Sequence, residues 1–176
     1  MTTPVFNVLF LCTGNSARSI LAESILQRDG MGRFHAFSAG SHPNGEINSF
    51  ALKVLAAHRY PVEGFRSKSW DEFAVPGAPV MDFVFTVCDS AANETCPFWP
   101  GQPMSAHWGI EDPAKAGGTD IQKEAAFEQA FRFMRNRITA FANLPLKSLD
   151  AMTLAKNLRE IGQLDGGSKL SKTEGA

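Results

Sequence analysis

The sequence predicts an α/β domain, a three-layer sandwich built around a short parallel sheet of about four strands. Two observations carry that prediction. Short apolar runs of strand length alternate along the chain with segments whose apolar residues recur at helical spacing, an order that packs as a parallel sheet covered on both faces. The 176 residues, 44% of them hydrophobic, suffice for one full core and are generous for two.

Each element follows from its residues. Val5 to Leu11 is a nearly continuous apolar run rich in β-branched and aromatic side chains, as expected of a strand buried on both faces. Ser19 to Gln27 continues as a helix. Phe34 to Ala39 is a second strand closed by Gly40, and Ile47, Phe50, Ala51, Val54 and Leu55 keep the i, i+3, i+4, i+7, i+8 spacing of a helix face. Val80 to Val87 ("VMDFVFTV") is a third strand and Pro103 to Ala106 a shorter fourth. Phe127, Ala130, Phe131, Met134, Ile138 and Phe141 mark a long amphipathic helix. These elements bound a domain over residues 1–144. An additional C-terminal helix is expected within 145–162, with Ala151, Leu154, Ala155 and Leu158 on one face. The Gly-, Ser- and Lys-rich stretch 163–176 is expected to be a disordered tail.

Composition excludes several classes. Lys plus Arg (17) nearly balances Asp plus Glu (18), and no run of five like charges occurs, so neither nucleic acid nor a membrane surface is an expected partner. A charged leader with a long apolar stretch is missing, and nowhere do eighteen apolar residues run together, so the expected location is the cytoplasm. Three cysteines, Cys12, Cys88 and Cys96, are an odd set in such a chain. They argue for thiol chemistry rather than a disulfide framework. Their spacing is not that of a zinc site, and no metal ligand set is expected.

Ligands of parallel sheets sit beyond the carboxyl ends of the strands, which places Cys12 and Cys88 on one rim. The loop "CTGNSAR" joins a buried strand to a helix N-terminus, where several backbone N–H groups converge and bind an anion. Thr13, Gly14, Asn15, Ser16 and Ala17 would supply those amides and Arg18 a guanidinium, with Gly14 allowing close backbone approach. Cys12 faces the same point. A free thiol titrates near ~8.5, whereas helix-terminal cysteines fall to roughly 3.5–7.5, so Cys12 is expected to be mostly thiolate. A nucleotide-binding Gly-rich loop fits poorly, since no "GKS" or "GKT" follows.

Three stretches, "VLFLCTGNSARS" (Val8 to Ser19), "FSAGS" (Phe37 to Ser41) and "HWGIEDPA" (His107 to Ala114), resemble the low-molecular-weight protein tyrosine phosphatase fold family. Within that family the chain looks like the thioredoxin-coupled arsenate reductases, over about Phe6 to Phe141. The resemblance implies that Cys12 is the nucleophile, that Arg18 and the loop amides bind the oxyanion, that Ser19 supports the thiolate and that Asp112 assists the departing oxygen. It also implies that Cys88 would attack the arsenic adduct to give a Cys12–Cys88 disulfide, which Cys96 would move outward for thioredoxin. Arsenate would be the substrate, phosphate or sulfate competing oxyanions, and thioredoxin the reductant. No tightly bound cofactor is implied. Arsenic detoxification would be the role.

A tyrosine phosphatase would carry tyrosines after the Asp-Pro pair; here the sequence reads "DPAKAGG", and the only tyrosine is Tyr60. Two alternatives stay open at this point: a low-molecular-weight phosphatase with incidental extra cysteines, and an oxyanion- or phosphoprotein-binding module without turnover. Some members bind potassium through residues matching Asn15, Glu23 and Ser38. In this chain "RSKSWDEF" lacks the matching aspartate and offers Lys68, whose ammonium is expected to replace the metal charge. His107 and Trp108 are expected to be structural, positioning the Asp112 loop.

Overall fold

The computed structural model describes residues 4–95 and 97–170. Cys96 therefore lies outside the described residues. The chain runs β1 (Phe6–Cys12), α1 (Arg18–Asp29), β2 (Phe34–Gly40), α2 (Ser49–Ala57), β3 (Phe83–Thr86), α3 (Asp89–Asn93), β4 (Met104–His107), α4 (Asp120–Ala142) and α5 (Ala151–Gly162). Single 3-10 turns occupy Trp70–Phe73 and Pro113–Lys115. The four strands form the expected parallel sheet, in the order β2-β1-β3-β4.

Alternation along β1 divides the core. Val8, Phe10 and Cys12 face one way, into a large cluster with α1, α2, α4 and α5. Leu9 and Leu11 face the other, against Trp70, Phe73, Met81 and Val84. Aromatic rings fill the first side: Trp108 stacks on Phe85 at a centroid distance of 3.7 Å, and Phe141 meets both edge-on. The long helix α4 starts at a reciprocal cap, Thr119 with Gln122, which satisfies donors that the first turn would otherwise leave bare.

The third strand is shorter than its apolar run. Val80 is half exposed and the Asp82 carboxylate accepts from the Asn7 amide at 2.8 Å, while the Asp82 amide donates to Asn7 O at 2.9 Å, so the segment before Phe83 anchors the start of β1 through a side chain as well as the backbone. A second difference is α3, a single turn after Cys88 that periodicity cannot detect at five residues.

The largest difference concerns the expected tail. Residues 163–170 are packed, whereas 171–176 lie outside the described residues. Arg137 on α4 is fully buried and donates to the carbonyls of Gly162, Leu164 and Asp165, at 3.3, 2.8 and 3.0 Å. Burial lowers its pKa to about 10, which still leaves it charged at neutral pH. A buried guanidinium needs acceptors, and this segment supplies them as backbone carbonyls. Gly167 then bridges Ile110, and the Ser168 amide donates to Gly109 O at 2.8 Å. Composition reports flexible residue types; it does not report a buried cation waiting for their carbonyls. No helix among the described residues is long and apolar enough to cross a membrane.

Candidate active site

β1 and β3 are neighbours, with Leu11 paired to Thr86, so the residues that follow each strand emerge side by side. Both Cys12 and Cys88 are buried there. The sheet order also reverses at this point, because β2 lies on one side of β1 and β3 on the other, and such a switch point opens a crevice.

The loop between Cys12 and Arg18 is held from beneath and from the side. Asn15 is fully buried with a φ of 46°, a left-handed conformation that Asn tolerates. Its amide group donates to Ser19 Oγ at 2.8 Å and Ser38 Oγ at 2.9 Å, while its Oδ1 accepts from the Lys68 amide at 3.0 Å. The carbonyls of Thr13, Gly14 and Ser16 are taken by the amides of His42, Asn44 and Asn48. Ser16 Oγ accepts from the Asn44 side chain, and Ala17 is buried at the start of α1. Close approach is demanded at Gly40 rather than Gly14. A Cβ at Gly40 would press on the Thr13 carbonyl oxygen and stand 2.8 Å from that of Cys12, whereas one at Gly14 would meet only the movable end of Asn44.

Arg18 opens α1 and reaches across the crevice. Its Nη1 donates to Ile110 O at 2.9 Å and its Nη2 lies 3.5 Å from Asp112 Oδ2. Nε is buried without a hydrogen-bond partner among the described residues. Asp112 is fixed by the Ala114 amide at 2.9 Å. The first turn of α1 has neither a side-chain cap nor an acidic residue, leaving its donors free for an external anion. Ser19 joins the loop through Asn15; no contact to Cys12 sulfur is among its hydrogen bonds.

The two thiols perturb each other. Cys12 is held well above its ordinary pKa by its hydrogen bond to Cys88 and by burial, with Arg18 acting in the opposite direction. Cys88 is lowered to about 5, first by that same bond and then, against its own burial, by the Ala91 amide, Arg18 and Thr13. The Thr13 and Ala91 amides stand 3.3 and 3.4 Å from its sulfur. The expected lowering of Cys12 by its helix end is therefore opposed by its neighbour: the two sulfurs are coupled, and the charge belongs to the pair rather than to Cys12 alone.

Lys68 and Glu23 perturb each other beside Asn15. Burial raises Glu23 despite Ser38 and Lys68, and burial lowers Lys68 despite Glu23. The Lys68 ammonium donates to Arg66 O at 3.1 Å and its charge acts on Glu23, and Asn15 Oδ1 is already occupied, so a fixed cation stands near this carboxylate where a potassium ion would need ligands. The expected result is equal melting temperatures in potassium and sodium chloride at matched ionic strength. A rise specific to potassium would contradict it.

His107 serves a partner other than the expected one. It accepts or donates at 2.7 Å to Thr86 Oγ1 through Nδ1 and contacts Asp89 Oδ1 at 2.8 Å through Nε2, so it braces the segment after Cys88 instead of the Asp112 loop. Trp108 is structural, its Nε1 donating to Leu158 O at 2.9 Å and so seating α5. A cavity of 340 Å³ lies between Arg18, Cys88, Asp112 and the returning residues Ser168 and Lys169. Cys12 and Cys88 lie on the one rim that the sequence predicts for them, Arg18 and Asp112 join them there, and Asp89, Ser168, Lys169 and Gly40 carry no role in the sequence reading. Only "FSAGS" carried a signal for any of them.

A parallel α/β sheet with a thiol, an anion-binding loop and an Arg–Asp pair at its switch point defines a thiol-dependent oxyanion enzyme class, and the chain belongs to the low molecular weight phosphotyrosine protein phosphatase family, whose profile matches residues 7–157. Among its curated relatives is an arsenate reductase of Oceanobacillus iheyensis, 36% identical over 135 residues, which are 77% of this chain and 94% of the relative. Of solved structures, an arsenate reductase in the phosphate-binding state matches 78% of this chain and 97% of its own, with a TM-score of 0.64 at 22% identity. A thioredoxin-dependent arsenate reductase of Corynebacterium glutamicum matches 77% of this chain and 61% of its own, with a TM-score of 0.55 at 26% identity.

Proposed function

We propose that this protein is an arsenate reductase that uses Cys12, Cys88 and Cys96 as a thiol-disulfide relay recharged by thioredoxin. One observation carries the reading: Cys88 is buried beside the nucleophile candidate Cys12, and the Thr13 amide of the anion-binding loop donates to the Cys88 sulfur at 3.3 Å. A phosphatase needs one thiol there; a two-electron reduction needs two. The curated relatives support the same choice.

Arsenate is held by Arg18, whose unpartnered Nε suits an oxyanion oxygen, and by the amides of the loop from Thr13 to Ala17. Cys12 sulfur bonds to arsenic as it gives up its proton, and one arsenate oxygen departs as water, with Asp112 assisting. Cys88 sulfur then attacks Cys12 sulfur. The Cys12–arsenic bond breaks with its electron pair remaining on arsenic, so As(V) becomes As(III) and leaves as arsenite, while a Cys12–Cys88 disulfide forms. Cys96 exchanges into that disulfide and frees Cys12, and thioredoxin reduces the resulting Cys88–Cys96 bond. The Cys12 proton leaves with the departing oxygen, and the low pKa of Cys88 suits its role as attacking thiolate.

Arsenate-dependent NADPH oxidation, coupled through thioredoxin and its reductase, tests the proposal in the intact chain and in Cys12→Ser, Cys88→Ser and Cys96→Ser. All three variants are expected to lose turnover. Aryl phosphate hydrolysis that needs Cys12 alone, with no arsenate-dependent oxidation, would favour a phosphatase instead.

A further inference from the structure

We propose that the strap formed by residues 163–170 is part of the redox machinery, because it holds Asp89 and through it positions Cys88 against Cys12. The proposal rests on the reading of Cys88 as the second thiol. The family match ends at residue 157, before the strap begins.

Asp89 is the first residue of α3 and directly follows Cys88. Its carboxylate gathers donors from two separate places. The Ser168 hydroxyl and His107 Nε2 both meet Oδ1, the latter at 2.8 Å, and the Leu170 amide reaches Oδ2 at 3.1 Å. Together, Ser168, Leu170 and His107 outweigh burial and hold Asp89 below its ordinary pKa, so it remains an acceptor for all three. His107 is braced in turn by Thr86 on β3.

The strap is anchored independently of these contacts. Arg137 clamps its first residues, Gly167 bridges Ile110, and the Ser168 amide bonds Gly109 O. Ile110 O is also the acceptor for Arg18 Nη1. One short segment thus reaches the residue beside the second thiol on one side and the carbonyl that seats the anion-binding arginine on the other. A helix of one turn does not hold itself in place. The Cys88 sulfur meets the Thr13 and Ala91 amides only as long as α3 is held in place, and two of the three donors that tether Asp89 come from the strap.

The test compares the intact chain with Ser168→Ala and Asp89→Asn in rapid-quench single turnovers with arsenate, scoring the Cys12–Cys88 disulfide by mass. Phosphate affinity is measured alongside by titration calorimetry, because it reports Arg18 and the loop without involving Cys88. Disulfide formation is expected to slow by about tenfold in each variant, the cost of one lost orienting hydrogen bond, while phosphate affinity stays as in the intact chain. Unchanged disulfide rates in both variants would overturn the proposal. So would a parallel loss of phosphate affinity, which would mean that the strap merely supports the whole rim. If the intact chain forms no Cys12–Cys88 disulfide, the relay itself fails and the strap's role falls with it; a normal disulfide rate in the variants sinks the strap alone.

Discussion

Replacing Arg18 with Lys is expected to lower kcat/KM for arsenate by about 10²–10³, the scale of losing a preorganised donor to transition-state charge. Charge alone does not explain Arg18. Its Nη1 is committed to Ile110 O and its Nη2 faces Asp112, which leaves Nε as the buried donor for a substrate oxygen. A guanidinium can serve all three directions at once because its donors are fixed in a fork. A lysine ammonium has no such fork and would have to choose between the Asp112 loop and the anion. Steady-state kinetics of Arg18→Lys would check this, and a kcat/KM close to that of the intact chain would show that Arg18 acts as a point charge only.

The second large effect is on stability. Arg137→Met fills a similar volume but removes the donor shared by Phe133, Gly162, Leu164 and Asp165 carbonyls. Hydrogen bonds from a charged group contribute about 1.5–3 kcal/mol each, but the freed carbonyls near the surface would regain water. A net loss of about 3 kcal/mol is therefore expected, which for a chain of this size corresponds to a fall of roughly 6–12 °C in melting temperature. Urea unfolding measures the loss, and amide exchange shows whether residues 163–170 are released with it. A strap that stays protected in the variant would mean that Ile110 and Gly109 anchor it without Arg137.

The parts of this architecture that were legible in the sequence are those written locally. β1 is a nearly continuous apolar run, α4 repeats its apolar face from Phe127 to Phe141 over about four turns, and one loop joins Cys12 to Arg18. Periodicity and spacing suffice for these. The hidden parts are polar pairings between distant segments. Asp89 finds Ser168 across 79 residues and His107 across 18, and neither partner belongs to a periodic pattern. Gly40 matters because another strand's loop passes over it, which no neighbour in sequence announces. The coupling of the thiols is hidden for the same reason: Cys12 sits before its own helix, while the thiol that perturbs it arrives just after β3. Val80 to Asp82 read as strand because apolar composition does not reveal that Asp82 binds Asn7 by its side chain.

The pairing of β1 with β3 has a consequence for how this chemistry comes into being during folding. Thr13 and the sulfur it donates to are 75 residues apart in the chain, and only the docking of β3 beside β1 brings them together. Contacts of that span are closed late, since the entropy of a long loop must be lost before any of them forms. Until then both sulfurs are ordinary thiols, mostly protonated and slow to react. On the proposed reading the chain thus acquires its nucleophile and its reducing thiol in one event, and a partly folded copy is chemically quiet at the stage when oxidation would trap it.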